Sequence, residues 1–156
     1  MFCTRRHFVR VVVVVAAVLA IFGWGAAPRL EAALPINGRV RFTDITDGTS
    51  TTILVAEDAA RPAVWEMGKR IPEATRPGGA WSSPANPIAI RGGGGPTGPC
   101  AVNCTNDQEL YGFHSGGANA LFADGSVHLL RRGLDVGLLI ALLTRAGGET
   151  VSLDAY

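Results

Sequence analysis

The amino-acid sequence predicts an α+β domain with a small antiparallel sheet, an apolar helix at the N-terminal end, a second helix near the C-terminal end and a loop-rich middle. Three observations lead to this class. Residues 11–27 are apolar and uncharged, two strand-like runs flank Asp124-Gly125, and apolar residues recur at helical spacing between Leu134 and Leu143. Six of the nine prolines lie in residues 72–99, which predicts loops there.

The N-terminal end has the layout of an export signal or a membrane anchor, which we assign to residues 1–33. A basic start precedes residues 11–27, which as a helix would span roughly 26 Å, just below the ~30 Å hydrocarbon core of a bilayer. Arg5, Arg6 and Phe8 stand in a stretch that resembles the twin-arginine export signal, although two arginines would also satisfy the positive-inside rule. Cleavage of the segment and its retention as an anchor both remain open.

The distribution of charge argues against nucleic acid as a partner. The chain has 14 basic and 13 acidic residues, a net charge of +1. Four of the arginines lie before Leu34, and from that residue onward 10 basic residues stand against 12 acidic ones. Binding to a phosphate backbone requires clustered cations, which this remainder lacks.

One buried strand is predicted soon after residues 1–33, the predicted export signal or membrane anchor. Residues 51–57, TTILVAE, are short and rich in β-branched side chains, which is typical of a strand in a core. The turn-forming residues before it, Asp44, Thr46 and Asp47, predict a capped helical turn or an Asx turn.

Cys100 and Cys104 form a candidate disulfide. In an exported chain, an even pair separated by three residues predicts a small disulfide loop. Two alternatives remain, namely a pair of reduced thiols, or a zinc site that would need His114 and His128 as further ligands.

The clearest prediction is a β-hairpin around Asp124-Gly125. The runs ANALFA and SVHLLR flank this dipeptide, which is the residue pair expected in a type I′ turn because both central positions of that turn need positive φ. Within the second run, His128 alternates with Val127 and Leu129, which predicts that its side chain leaves the core face of the strand.

A helix is predicted after the hairpin. Asp135 and Arg145 suit its two ends, and Gly147-Gly148 would stop it. One face of this helix would be apolar and would carry the residues Leu134, Leu138, Leu139, Leu142 and Leu143.

His114 stands nine residues before Asp124, a spacing that raises the question of a catalytic pair. A straight six-residue strand between them would separate the two by roughly 20 Å, whereas a catalytic pair needs hydrogen-bond reach. We therefore predict that Asp124 supplies the turn and that His114 fixes a loop. Asp107 and Glu109 are weak candidates for oxygen ligands of calcium, without the spacing of an EF-hand loop; no other cofactor is predicted.

Several motifs in order resemble a known family. ITDGTSTTILVAE, the stretch from Gly98 to Leu130 and LLTRAGGE are similar to the bacterial prepilin-like proteins called domain of unknown function 1559, whose signature of His, nine residues and Asp-Gly falls on His114, Asp124 and Gly125. The resemblance implies a pseudopilin-like fold, in which a long N-terminal helix anchors in the inner membrane and packs on a small antiparallel sheet outside the cytoplasm. It implies no established biochemical activity.

The chain departs from that family at its start. A prepilin has Gly before the processing site and Glu at the fifth mature position, where this sequence has His7 and Val12. Residues 34–156 therefore correspond to the C-terminal part of a prepilin-like globular domain, and a sheet built from that part alone would expose an edge that invites pairing.

Two functions from different classes follow from the sequence. The first is a non-enzymatic protein of the periplasm or cell envelope that acts by association, with the inner membrane through an uncut N-terminal segment and with a protein partner or a second copy. The alternative is an exported metal-dependent enzyme or ligand-binding module that uses His114 and Asp124.

Overall fold

The computed structural model describes residues 11–13, 32–34, 38–78, 100–107, 109–152, 154 and 156. Six strands and one helix follow each other along this part of the chain, which confirms the α+β class and the small antiparallel sheets. The elements are β1 (Val11–Val13), β2 (Ile53–Glu57), β3 (Ala63–Glu66), β4 (Lys69–Thr75), β5 (Gly117–Phe122), β6 (Val127–Arg131) and α1 (Val136–Leu143).

The strands form two sheets. The larger has the order β1-β2-β5-β6 with antiparallel neighbours throughout, and β3 pairs with β4 in a separate two-stranded ribbon. β2 is the predicted strand of the TTILVAE stretch, and its branched side chains suit a position between two neighbours. β4 continues through Pro72 to Thr75, into the proline-rich stretch predicted as loops; residues 79–99 lie outside the described part.

The core lies between the larger sheet and α1. Fully buried side chains on the sheet include Ile53, Phe122 and Leu130, and α1 buries Leu139 and Leu142 against them. Burial of one large apolar side chain contributes about 1.5–3 kcal/mol, so this layer dominates the stability of the domain.

The helix α1 begins as predicted and ends earlier. The carboxylate of Asp135 caps it by accepting the N–H of Leu138 at 3.1 Å. The last helical residue is Leu143, so Arg145 lies beyond the helix and its guanidinium instead donates to the carbonyl of Ala32 at 2.9 Å. The local sequence thus set the start of α1, and tertiary contacts set its end.

The hairpin forms at the predicted residues with a different turn. The N–H of Gly125 bonds the carbonyl of Phe122 at 3.0 Å, and the N–H of Phe122 bonds the carbonyl of Ser126 at 2.9 Å. Gly125 has a φ of 88°, whereas Asp124 is not among the residues with positive φ. The type I′ prediction is therefore wrong: a three-residue loop with glycine in the left-handed region closes the hairpin.

A side-chain bond joins the loop before β2 to the segment after α1. The carboxylate of Asp47 accepts the N–H of Gly147 at 2.7 Å and the N–H of Gly148 at 2.9 Å, while the N–H of Thr46 bonds the carbonyl of Arg145. Asp44 makes the local contact predicted for this region, because its carboxylate accepts the N–H of Arg41 at 2.8 Å in a 3-10 turn. The two acidic residues of one loop thus bind near and far partners.

The predicted N-terminal helix falls mostly outside the described residues, as do Arg5, Arg6 and Phe8. The three residues of this segment that are described, Val11–Val13, form strand β1 beside β2 rather than helix. In the described part of the chain, no helix has the length and apolar character needed to cross a membrane.

Candidate functional site

His114 lies at the open end of the β5–β6 hairpin, in contact with a buried carboxylate. Its Nε2 is 3.0 Å from Oε1 of Glu57 and 2.9 Å from Nδ2 of Asn119. The side chain of Glu57 is only 6% exposed, whereas that of His114 is 42% exposed. The histidine therefore covers a carboxylate that the fold has removed from water.

Glu57 is buried because β2 changes its partner at this residue. The carbonyl of Glu57 accepts the N–H of Tyr111, and the N–H of Ala59 then bonds the carbonyl of Tyr111, so the chain leaves β5 for the segment around Tyr111. Where β2 and β5 diverge, the other oxygen of the carboxylate accepts the N–H of Asn119 at 2.7 Å. The side chain thus satisfies a backbone donor that the sheet itself leaves without a strand partner.

The disulfide between Cys100 and Cys104 is present, which confirms that prediction for the pair. The small loop that it closes contains Asn103, a buried residue with a φ of 62°. The Asn103 side chain donates to the carbonyl of Gly117 at 3.1 Å and accepts the N–H of Gly112 at 2.7 Å. The disulfide loop therefore holds both ends of the segment that carries His114.

Asp124 lies at the opposite end of the hairpin, in the turn. Its carboxylate accepts the N–H of Ser126 at 2.8 Å and the hydroxyl of Ser126 at 2.6 Å. These hydrogen bonds lower the pKa of Asp124, with a smaller contribution from the nearby His128. The length of β5 separates Asp124 from His114, so the structure does not bring the two signature residues into one site.

The calcium candidates lie in a charged cluster beside the β3–β4 ribbon. Asp107 forms an ion pair with Arg76 at 2.6 Å, and Glu109 is buried. In the described residues, no group of three or more His, Cys, Asp or Glu side chains is placed to hold a metal ion. Calcium binding remains a prediction.

The same cluster contains a buried ion pair. Asp58 and Arg61 meet at 2.7 Å with almost no exposed side-chain surface. Burial raises the pKa of Asp58 to about 8, the Arg61 guanidinium acts in the opposite direction, and the carboxylates of Asp107 and Glu109 raise it further. Burial thus favours the protonated form of Asp58, while the contact with Arg61 favours the ionised form.

The strand β6 presents apolar side chains to solvent. Val127 is 62% and Leu129 is 43% exposed, and among the described strands β6 lies at the edge of the larger sheet. We call these two residues the edge patch. His128 lies on the other face with Leu130, where its ring packs 5.0 Å from Phe122, so the prediction that it leaves the core face is wrong.

A second exposed apolar group lies beside the β3–β4 ribbon. Phe113 packs edge-on against Trp65 at 5.0 Å between ring centroids, and Phe113 and Met67 are both more than half exposed. The sulfur of Met67 contacts the guanidinium of Arg132, which follows β6. This exposed apolar group thus contacts the arginine that follows β6.

Sequence reasoning missed Glu57 and Asn103, which position the segment around His114. Glu57 ends the TTILVAE strand, and a carboxylate at the end of an apolar strand is a signal that it has a specific partner. Asn103 lies in the disulfide loop, and asparagine is one of the residues that tolerate positive φ. Neither signal identifies the partner, which comes from a distant part of the chain.

Comparison with protein-family models matches residues 19–137 to the family described as protein of unknown function (DUF1559). The matched range is well over half of the chain and includes both ends of the hairpin. Searches of curated proteins and of solved structures gave no match.

Proposed function

Because this chain belongs to the DUF1559 family of proteins of unknown function, we propose its role from the geometry: it is a non-enzymatic protein that acts by association with other proteins in the cell envelope. The observation that carries the proposal is the edge patch, two apolar side chains exposed on the edge strand of the family's signature hairpin. Exposed apolar side chains on an edge strand are a liability in a protein that works alone.

The arrangement of the signature residues also supports an associative role. An enzyme or ligand-binding module built on His114 and Asp124 would need both in one site, whereas they occupy opposite ends of a hairpin. His114 covers Glu57, and Asp124 binds Ser126. Both residues contact other residues of the same chain. The surface that we propose for binding a partner is therefore the edge patch of the hairpin and not the signature residues.

The cellular location in this proposal depends on residues 1–33, the predicted export signal or membrane anchor. With an uncut N-terminal segment the domain would be held at the inner membrane, in a pseudopilin-like context related to type II secretion. With a cleaved segment it would be a free protein of the periplasm. The disulfide between Cys100 and Cys104 fits either setting, because such bonds persist in oxidising compartments.

The test is site-specific photo-crosslinking in intact cells. A photoreactive amino acid replaces Leu129 in the edge patch, and the matched control replaces Ser152, an exposed polar residue outside the larger sheet. We expect covalent adducts from position 129 in the envelope fraction and none from position 152. Equal labelling at both positions, or no adduct at position 129, would contradict the proposal.

A further inference from the structure

Among the described residues no strand pairs with the side of β6 that faces away from β5, and this edge carries a defined set of backbone groups. At the two ends of the β5–β6 ladder, the N–H of Phe122 bonds the carbonyl of Ser126, and the N–H of Arg132 bonds the carbonyl of Gly116. Because antiparallel pairs alternate, His128 and Leu130 direct their N–H and C=O groups towards β5. The backbone groups of Val127, Leu129 and Arg131 therefore point away from the sheet.

The side chains of those same three residues share one face. Val127 and Leu129 form the edge patch and Arg131 is exposed beside them, so this face of the strand is apolar except at its end. β6 pairs with β5 residue by residue from Val127 to Arg131 without a register shift, and it contains no proline. Within the part of the chain that the structure describes, a terminal charge is thus the one device that protects this edge strand from pairing.

The charges at the two ends of this edge are complementary. Asp124 precedes β6, and its lowered pKa keeps it ionised at neutral pH, while Arg131 and Arg132 stand at the other end. When two such edges run antiparallel, the acidic end of each lies near the basic end of the other. A parallel arrangement would instead bring the four arginines together.

We propose that the occupant of this edge is a second copy of the chain, paired through β6 in antiparallel orientation about a twofold axis at Leu129. Leu129 then faces Leu129 of the second copy, and Val127 faces its Arg131. All outward-pointing backbone groups meet each other in this register, and the interface is self-complementary, as a closed dimer requires. The proposal rests on the proposed function and names the partner of the same surface.

The register gives a sharp test with single cysteines in the full chain, in a Cys3→Ser background that keeps the disulfide between Cys100 and Cys104. Residues directly opposite in such a pair have Cα atoms about 5.5 Å apart, within the range that a disulfide bridges. Under mild oxidation we expect Leu129→Cys to form a covalent dimer. Val127→Cys alone should not, because its own copy lies four residues away along the edge.

A mixture of two variants tests the same register from another position. Chains with Val127→Cys and chains with Arg131→Cys should crosslink to each other when mixed, while Ser152→Cys should give no dimer. Adding Leu129→Lys to the mixed pair should abolish the crosslink, since it places two like charges on the twofold axis, and circular dichroism would show that the chain still folds.

Failure of this inference can be told apart from failure of the proposed function. No dimer from Leu129→Cys, or equal dimer from Val127→Cys alone, would overturn the self-pairing. If the photoreactive residue at position 129 still gave adducts to a different protein, association would stand with another partner. If neither experiment gave a product, for instance because another segment of the chain covers the edge, both proposals would fall.

Discussion

The two ends of the β5–β6 hairpin each carry part of the family signature, and they differ in the contacts that stabilise them. At the base, His114 contacts Glu57, and Asn103 fixes the chain on either side. At the tip, the exposed carboxylate of Asp124 bonds Ser126, two positions away, while the N–H groups of Ala123 and Asp124 bond the carbonyls of Thr52 and Thr49. Both ends are thus tied to distant parts of the chain, but the base depends on buried side-chain contacts, whereas the side chain of Asp124 acts on an exposed turn.

The largest difference between the two ends is expected when one methyl group is added at each of them. A Cβ at Gly117 would overlap the carbonyl oxygen of Leu130 on β6, so Gly117→Ala should cost about 3 kcal/mol of the free energy of unfolding. A Cβ at Gly125 meets nothing, and Gly125→Ala should cost about 1 kcal/mol because of its positive φ. Urea unfolding monitored by circular dichroism measures both, and equal losses would contradict the distinction.

Removal of the buried carboxylate tests what the base depends on. Glu57→Ala leaves the N–H of Asn119 without its acceptor and removes the partner of His114, for an expected loss of about 2.5 kcal/mol. Glu57→Gln retains an oxygen acceptor and should lose less than half as much. If the two variants were equally stable in chemical denaturation, the hydrogen bond to Asn119 would not matter.

The pH dependence of stability should run in opposite directions for Asp58, in the cluster beside the β3–β4 ribbon, and for Asp124 at the tip of the hairpin. Asp58, next to Glu57, has a folded-state pKa of about 8, above the value of an unfolded aspartate. The folded chain therefore holds a proton that the unfolded chain releases, and stability should fall as pH rises from about 4 to about 8, by at most about 1.4 kcal/mol per pH unit. Comparison of wild type with Asp58→Asn at pH 6, 7 and 8 isolates this effect; parallel curves would refute it.

The smallest effect is expected at the tip. The hydrogen bonds from Ser126 lower the pKa of Asp124, so its contribution is present above the pKa of an unfolded aspartate and is lost as pH falls below it. Asp124→Ala should lower the melting temperature only slightly at neutral pH, and the difference from wild type should vanish in acid. A difference that grew in acid would contradict this assignment.

The local parts of the fold could be predicted from the sequence and the long-range parts could not. The dipeptide Asp124-Gly125 located the hairpin, and Asp135 located the start of α1, because both act on neighbouring backbone. The contact of His114 with Glu57 links residues 57 positions apart, and no local pattern encodes it. The candidate site was therefore identified by its signature histidine without the carboxylate that the histidine covers.

The orientation of β6 shows a second reason why a prediction from the sequence was wrong. The strand Val127–Arg131 has apolar residues in both phases of its alternation, so a period of two does not say which face is buried. The structure buries Leu130 and half-buries His128, and it exposes Val127 and Leu129. The wrong orientation predicted for His128 and the apolar character of the edge patch have the same origin, namely apolar residues in both phases of the strand.

The bond from Asp47 to Gly147 has a consequence for how the protein is made. It spans 100 positions, and contacts of such separation form late because a long stretch of chain must first lose its freedom. While Gly147 is still inside the ribosome, the loop before β2 lacks this anchor. The emergence of the segment after α1 then limits when the Asp47 side chain can bind its partners in a nascent chain.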